Sequence, residues 1–191
     1  MRESTGGNST VSPYVLDSDV FIAAKNSYYA FAICPGFWDS LIHHHSAGVV
    51  HSIDKVKEEL LVGYEAEKKR EKEGKGEVED LKNWIVTMIP SEFFLDTNEE
   101  AVSDSYKRVM LWMQRNTQYT DPAKAKFATE ADGWLVAFAM AHDVTVITNE
   151  QSRPESRSRI LLPDVCMQFN VTYKNSFLML HELTVSFCFM A

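Results

Sequence analysis

Short apolar runs that alternate with longer helical stretches constrain the fold of this chain more than any other feature. Strands are predicted at residues 14–16, 48–50, 144–147 and 171–173, with helical patterns between them. Strands that are apolar along their whole length are typical of a parallel sheet covered by helices on both faces. The sequence therefore predicts one α/β domain with a central parallel sheet of about four to five short strands flanked by helices.

The 191 residues, 45% of them hydrophobic, suit a single domain. Polar residues 1–12 are interpreted as a flexible arm without a signal-peptide core, residues 13–184 as the domain, and residues 185–191 as an apolar tail. Residues 68–79 are nearly all Lys, Glu and Gly, which is typical of a solvated helix end and loop. No apolar run approaches the roughly 20 residues of a membrane span. Three scattered cysteines indicate reduced thiols in a cytoplasmic protein.

The formal net charge of −8 argues against a protein that coats nucleic acid, because such proteins are basic. A metal-dependent nuclease stays compatible with this charge, since divalent ions offset clustered carboxylates when they bind.

Acidic residues follow two of the predicted strands. Asp17 and Asp19 come directly after the first strand, and Thr148, Asn149 and Glu150 follow Val146-Ile147. In open α/β sheets, ligands gather outside the carboxyl ends of the strands, so these residues are candidates for a site. The alternative is that each acid only caps a turn or a helix.

Two predicted helices add one carboxylate each. Glu59 lies at the border of the apolar stripe formed by Ile53, Val56 and Leu60, whereas Glu58 points toward solvent. Glu59 is therefore the better candidate for a functional acid, with an ordinary surface glutamate as the alternative.

Asp132 opens a strongly apolar helix and shares a face with Leu135, Val136 and Ala139. An ionised aspartate in line with a buried face is costly unless something satisfies it. The helix dipole favours a negative charge there, so a structural cap and a carboxylate directed into a site both explain Asp132.

Together these positions predict that Asp17, Glu59, Asp132 and Glu150 converge at one end of the sheet. Close carboxylates repel one another, and a hard divalent cation such as Mg²⁺ resolves the conflict through oxygen ligands. Such an ion can activate water and stabilise phosphoryl-transfer charge. The sequence has no catalytic Ser-His pair, phosphate-binding loop or zinc spacing, so the pattern favours metal-assisted phosphodiester hydrolysis.

The same positions resemble the motifs of PIN-domain ribonucleases across residues 13–180. The opening run Tyr14-Val15-Leu16-Asp17-Ser18-Asp19-Val20-Phe21-Ile22 resembles their first strand, and Glu59-Leu60 with Gly63 resembles their second motif. The helix from Asp132 and the run Val146-Ile147-Thr148-Asn149-Glu150 resemble the third and fourth motifs. Residues 24–29 with Pro35-Gly36-Phe37-Trp38 resemble a less characterised prokaryotic PIN-like branch.

The resemblance implies an endoribonuclease that depends on Mg²⁺ or Mn²⁺, often the toxin of a toxin–antitoxin pair as in VapC-like proteins, and often a homodimer. It assigns metal binding and catalysis to four acids and a supporting role to three neighbours: Asp17, Glu59, Asp132 and Glu150, supported by Asp19, Thr148 and Asn149. Glu150 departs from the Asp of many relatives, and Gly133 stands where Pro or Ala is more usual.

Basic residues near these motifs are weaker candidates for contacts with RNA phosphates. They are Lys25, Arg153 and Arg157, with Arg159 close by, and a solvated polar loop explains the arginines equally well. The run His43-His44-His45 is interpreted as a solvated helix end, because consecutive helical residues point in different directions.

Two other functions are compatible with parts of the pattern. Asp17-Ser18-Asp19-Val20 also satisfies the nucleophile motif of haloacid-dehalogenase-type phosphatases, but that reading leaves Glu59 and Asp132 without a role. A PIN-like module that binds RNA or a protein without catalysis is the non-enzymatic alternative.

Overall fold

A computed structural model describes residues 13–74 and 79–188. Five parallel strands form one sheet in the order β3-β2-β1-β4-β5. Their bounds are β1 Tyr14–Leu16, β2 Val50–Ile53, β3 Phe94–Leu95, β4 Thr145–Ile147 and β5 Tyr173–Lys174. The predicted fold class, an α/β domain built on a parallel sheet, is confirmed.

Ten helices in the described ranges surround the sheet. They are α1 Ser18–Asn26, α2 Pro35–Ser46, α3 Asp54–Leu60, α4 Tyr64–Lys72, α5 Asp80–Thr87, α6 Glu100–Arg115, α7 Asp121–Phe127, α8 Asp132–His142, α9 Leu162–Gln168 and α10 Ser176–Glu182. Within those ranges no helix has both the length and the apolar character that a membrane span requires.

Several element boundaries differ from the sequence prediction by one or two residues, β5 among them, and a glycine explains two of the differences. Gly48 has a φ of +74°, so it turns the chain after α2, and β2 begins at Val50 instead of residue 48. Gly63 has a φ of +81° and separates α3 from α4 where one helix was predicted over residues 54–64. Strand β3, with the 3₁₀ turn Ser91–Phe93 before it, and helix α7 were not predicted.

The core lies on both sides of the sheet, as apolar strands require. All three residues of β1 and of β4 are buried. An aromatic cluster packs between β2, α1, α2 and α5, with Phe21 at 6.2 Å from Phe93 and Trp38 at 4.9 Å from Trp84, measured between ring centroids. Fully burying such side chains stabilises the fold by about 1.5–3 kcal/mol each. The core thus fixes the strand ends from which the polar residues emerge.

Helices α6 and α8 pack closely at Gly133. A Cβ atom at this position would lie 2.6 Å from Met110 Cε and 3.2 Å from Tyr106 Cε2. The Tyr106 ring in turn stacks on Trp134 at 3.7 Å. This close approach gives a physical reason for glycine directly after Asp132.

The structure describes part of the predicted C-terminal tail. The predicted arm, residues 1–12, lies outside the described residues, as do residues 189–191 of the predicted tail. Residues 185–188 form no strand, and the Phe187 ring packs 5.7 Å from Tyr29 and against Gly36. Cys166 is buried, Cys34 is partly buried and Cys188 is exposed, and all three are free thiols.

Candidate active site

The strand order reverses between β1 and β4, and polar residues follow both strands there. The chain runs outward from β1 through β2 to β3, then returns to the other side of β1 as β4. In open α/β sheets a crevice forms at the carboxyl ends of the strands where the order reverses, and ligands bind there. Asp17 and Asp19 follow β1, whereas Thr148, Asn149 and Glu150 follow β4.

Asp17 is only 4% exposed and caps the N-terminus of α1. Its Oδ1 accepts the Ser18 backbone N–H at 2.6 Å, and its Oδ2 accepts the Thr148 hydroxyl at 3.1 Å. The cap explanation weighed for Asp17 is therefore correct for one oxygen, while the other oxygen links β1 to β4.

Asp19 lies in the first turn of α1 and faces the same crevice. Its Oδ2 accepts the Asn149 backbone N–H at 2.8 Å and lies 3.2 Å from the Thr148 hydroxyl. Its Oδ1 is buried and has no hydrogen-bond partner among the described residues. A buried carboxylate oxygen without a partner is costly, so it marks a place where a ligand would be favourable.

Glu59 joins three helices. Its Oε1 accepts the Ser18 hydroxyl at 2.9 Å, and its Oε2 accepts the Ala131 backbone N–H at 3.2 Å. The neighbouring Glu58 side chain is 65% exposed and pairs with Lys55. Glu59 is thus the glutamate of α3 that belongs to the site, and both of its oxygens are engaged by protein donors.

Asp132 stands in the first turn of α8, but it does not cap the helix. The cap position is Ala131, and no side chain caps this helix end. The cap explanation for Asp132 is therefore wrong. Within residues 13–74 and 79–188, the Asp132 carboxylate makes no hydrogen bond, although the residue is partly buried. Within the described residues, the helix dipole and the charge of Arg159 favour the ionised form of Asp132.

Glu150 follows β4 at the same end of the sheet as the four acids above, and two contacts hold its carboxylate. Its Oε1 pairs with Arg159 Nη2 at 2.6 Å, and its Oε2 accepts the Leu162 backbone N–H at 2.9 Å. The Glu150 backbone N–H in turn donates to the Thr148 hydroxyl at 3.2 Å.

Burial and mutual repulsion raise the pKa values of the central acids. Burial raises the pKa of Asp17 well above its usual range, and the charges of Asp132, Asp19 and Glu150 raise it further. The pKa of Asp132 is raised well above its usual range by burial and then by Glu150, Glu130 and Glu59, against a lowering effect of Arg159. Burial also raises the pKa of Asp19.

A nearby thiol senses the same negative field. Burial raises the pKa of Cys166, and the charges of Asp132 and Asp17 raise it further. Its proton is therefore held firmly, so Cys166 is a core residue and not a nucleophile.

The donor chemistry of these acids fits a hard divalent cation such as Mg²⁺ or Mn²⁺. Asp19 Oδ1 and the Asp132 carboxylate accept no hydrogen bond from any residue that the structure describes, and a cation would relieve the repulsion among the acids. As the side chains stand, no three His, Cys, Asp or Glu groups of the described residues are spaced to hold a metal. Binding such a cation would therefore require side-chain rotation, which Asp132 could make without breaking a hydrogen bond to any described residue.

The weaker candidates for RNA contacts are placed differently from one another. Lys25 pairs with Glu79 at the far end of α1. Arg153 and Arg157 are exposed, and their contacts within the loop are made through backbone groups. Arg159 is the arginine that reaches the acidic group, through Glu150.

Sequence reasoning missed Ser18 and Asp164. Ser18 connects Asp17 with Glu59, and its only sequence signal is that it lies between two candidate acids. Asp164 anchors the loop after Glu150 by accepting the Ser152 hydroxyl at 2.5 Å and the Arg153 N–H at 3.2 Å. No local pattern distinguishes Asp164 from a helix-start aspartate.

The fold and the site define a class: an α/β protein with a cluster of acidic side chains at the reversal point of its parallel sheet. The family model described as Domain of unknown function (DUF4411) matches residues 14–187. The chain therefore belongs to this family. The matched range contains all the acids described above, which are Asp17, Asp19, Glu59, Asp132 and Glu150. No curated protein matches the chain.

Proposed function

We propose that the protein is a metal-dependent endoribonuclease whose active site is the cluster of Asp17, Asp19, Asp132 and Glu150. The observation that carries the proposal is the state of Asp132. This carboxylate lies close to other acids that repel its charge, has no hydrogen-bond donor within the described residues and does not cap its helix. Such an arrangement is costly for folding, which favours a functional reason for it.

The residues divide into two roles in this proposal. Asp17, Asp19 and Asp132 would hold Mg²⁺ or Mn²⁺, with Glu150 joining when it leaves Arg159. When bound, the ion supplies Lewis acidity toward water and toward an RNA phosphodiester. Glu59 acts as a positioning residue, because its two oxygens tie α3 to Ser18 and to the start of α8. Thr148 and Asn149 hold the carboxylates of Asp17 and Asp19 in place.

Arg159 is suited to receive a phosphate of the substrate. Its side chain is 55% exposed and already binds a carboxylate, and a guanidinium binds the oxygens of carboxylates and phosphates in the same way. A phosphate that engages Arg159 would release Glu150 toward the central acids. Substrate and cation would then favour the same arrangement of side chains.

The phosphatase alternative receives less support from the geometry. An aspartyl nucleophile must be accessible, whereas Asp17 is 4% exposed and accepts hydrogen bonds on both oxygens. That alternative also leaves unexplained why Asp132 and Glu59 face the same centre.

The biological setting implied by the PIN-domain resemblance is a toxin controlled by an antitoxin protein, with the toxin as a homodimer. We include this setting in the proposal. Light scattering at micromolar concentration should give the mass of two chains. Co-expression with the product of an adjacent gene should suppress RNA cleavage. A monomeric protein that no such product inhibits would contradict the toxin–antitoxin setting and leave the ribonuclease proposal standing.

The test is incubation of mixed RNAs with the purified protein plus Mg²⁺ or Mn²⁺, with and without a chelator. We expect endonucleolytic cleavage that the chelator abolishes. Asp132→Asn should reduce the rate by about a hundredfold or more. Asp104→Asn is the matched control, because this exposed aspartate pairs with Lys107 on α6, away from the acids of the proposed site.

The outcomes separate the candidate functions. Metal-dependent hydrolysis of a small phosphate monoester without RNA cleavage would favour the phosphatase. RNA binding without cleavage under any metal condition would favour the non-catalytic module. Equal cleavage by wild type and Asp132→Asn would contradict the proposed site.

A further inference from the structure

A small pocket with aromatic walls lies directly beside the acidic cluster. It has a volume of about 140 Å³ and is formed by α1, the turn after it and the start of α10. Its main lining residues are Ala23, Tyr28, Tyr29, Asn149, Ser176 and Phe177. None of these side chains is among the acids assigned to the cation.

The pocket shares structural elements with the cluster. Asn149, which lines the pocket, donates its backbone N–H to Asp19 Oδ2 at 2.8 Å. Ala23 follows Asp19 by four residues on α1, so both residues lie on one face of that helix. A ligand group in the pocket would therefore be a direct neighbour of a group held at the acidic cluster.

Two aromatic rings in the pocket wall remain uncovered. Tyr28 is 76% exposed and Phe177 is 55% exposed, although both side chains are large enough to gain from burial. Behind them, Tyr29 stacks on Phe37 with ring centroids 4.5 Å apart and planes 3° apart, which makes that wall rigid. Exposed rings beside a rigid ring are suited to stacking with a planar ligand.

The Asn149 side chain supplies a directed hydrogen-bond donor. Its Oδ1 accepts both the backbone N–H and the hydroxyl of Ser176, at 3.1 and 2.8 Å. A backbone N–H can only donate, so this contact fixes which end of the amide is oxygen. The Asn149 NH₂ group makes no hydrogen bond within the described part of the chain. It is available to a carbonyl oxygen or ring nitrogen of a ligand.

Size and charge narrow the ligand to one planar ring system. Pockets that enclose whole small molecules usually measure about 300–1,000 Å³, so 140 Å³ suits a single base and not a complete cofactor. A chain with a net charge of −8 gains little affinity from RNA phosphates, which supply most of the binding in basic proteins. Contacts to the bases would then supply a larger share of the affinity for RNA than they do in basic proteins.

We propose that this pocket binds the base of a nucleotide that flanks the cleaved phosphodiester of single-stranded RNA. Tyr28 and Phe177 stack on the base, and the Asn149 NH₂ group donates to its edge. A base in a duplex is stacked and paired and cannot enter, so the pocket restricts cleavage to unpaired RNA. This inference rests on the proposed ribonuclease function for its substrate, but its binding step can be tested alone.

The binding test uses the four uncharged ribonucleosides, which avoid repulsion by the acidic cluster. The full-length protein is titrated without metal, and the side-chain NH₂ signal of Asn149 is followed by nuclear magnetic resonance. We expect at least one ribonucleoside to shift this signal. Tyr28→Ala and Phe177→Ala should each weaken its binding by about tenfold, the scale of one lost stacking contact. Tyr28→Phe keeps the ring and should bind as wild type does.

Met88→Ala is the matched control, since this exposed apolar residue on the segment after α5 does not line the pocket. Tyr28 and Phe177 are exposed, so their variants should keep the wild-type melting temperature. No shift of the Asn149 signal at saturating ribonucleoside, or equal binding by Phe177→Ala and Met88→Ala, would overturn the proposal.

A cleavage assay separates this inference from the proposed function. On single-stranded RNA, Tyr28→Ala should raise KM by about tenfold and leave kcat nearly unchanged, because the ring contributes binding and not chemistry. If the wild type cleaves RNA but this variant has an unchanged KM, the pocket proposal fails alone. If no RNA is cleaved but ribonucleosides bind as described, the ribonuclease proposal fails alone.

Discussion

The charge of Asp132 raises the pKa of Asp17, although the two residues come from distant parts of the sequence. Asp17 follows β1 and accepts hydrogen bonds on both oxygens, whereas Asp132 stands at the start of α8 and accepts none within the described residues. The pair thus combines a fixed carboxylate with one that is free to turn. A cation that binds between them would be attracted by both carboxylates and would disturb few existing hydrogen bonds.

Replacing Asp132 by Asn should separate function from stability. Because Asp132 caps nothing and is repelled by neighbouring acids, loss of its charge should stabilise the metal-free protein by about 1 kcal/mol. For a chain of this size that corresponds to a rise of about 2–4 °C in melting temperature. Nuclease activity should fall in the same variant. A lower melting temperature would mean that Asp132 has a structural partner after all.

The stabilising effect of Asp132→Asn should increase with pH. An acid whose pKa is raised by folding binds its proton more tightly in the folded state, so it destabilises the protein as pH rises above its unfolded value, here 3.8. The difference in melting temperature between the variant and wild type should therefore be larger at about pH 8 than at about pH 5.

The comparison between the two proteins isolates this effect from other titrating groups. The pKa values of His44 and His51 are lowered by burial, so these residues destabilise the fold upon acidification, but they do so equally in both proteins. Addition of Mn²⁺ should remove the pH-dependent difference by stabilising the ionised wild type. A difference that does not change with pH would contradict the raised pKa of Asp132.

The strand-end acids could be predicted because two local signals coincide there. The continuous apolar runs of β1 and β4 identify buried parallel strands, and the polar residue that follows each run must emerge at the carboxyl end of the sheet. Asp132 was identifiable because helical periodicity places it in line with buried Leu135 and Val136. These inferences require only the periodicity of strands and helices.

Features that depend on long-range packing could not be predicted in this way. Strand β3 has only two residues, too few to show a period, and its position follows from pairing with Ser52 and Ile53. Arg159, and not Arg153 or Arg157, pairs with Glu150. This pairing depends on the shape of the loop after Glu150, which Asp164 of α9 anchors. The aromatic pocket joins α1 to α10, and no local pattern connects residues so far apart.

Two substitutions of Glu59 should distinguish a positioning residue from a metal ligand. Glu59→Gln can still accept the Ala131 N–H and can donate to the Ser18 hydroxyl, so both connections survive. Glu59→Ala loses both and leaves a partly buried N–H without a partner, at a cost of about 1–3 kcal/mol.

We therefore expect Glu59→Gln to keep activity within about tenfold of wild type and Glu59→Ala to lose substantially more. Melting temperatures should follow the same order. Glu58→Ala serves as the control, because Glu58 is exposed and pairs with Lys55 instead of with Ser18 or Ala131. If Glu59→Gln is as inactive as Glu59→Ala while its melting temperature is unchanged, Glu59 contacts the cation directly.

Arg159 should compete with the cation for Glu150. Its guanidinium pairs with Glu150 Oε1 at 2.6 Å and also lowers the pKa of Asp132, so it favours the negative cluster without a metal. Arg159→Gln removes this competitor and leaves the Glu150 carboxylate, among the described residues, with the Leu162 N–H as its one hydrogen-bond donor. The variant should consequently need less Mn²⁺ for half-maximal stabilisation, by a factor of about three to ten. At the same time it should bind RNA less tightly, because it loses a phosphate-binding group. The measurement is a Mn²⁺ titration of the melting temperature beside an RNA-binding isotherm. Arg153→Gln is the control, because the Arg153 side chain makes no hydrogen bond or ion pair within the described residues. Weaker binding of both Mn²⁺ and RNA in Arg159→Gln would instead indicate that Arg159 holds Glu150 in its metal-binding position.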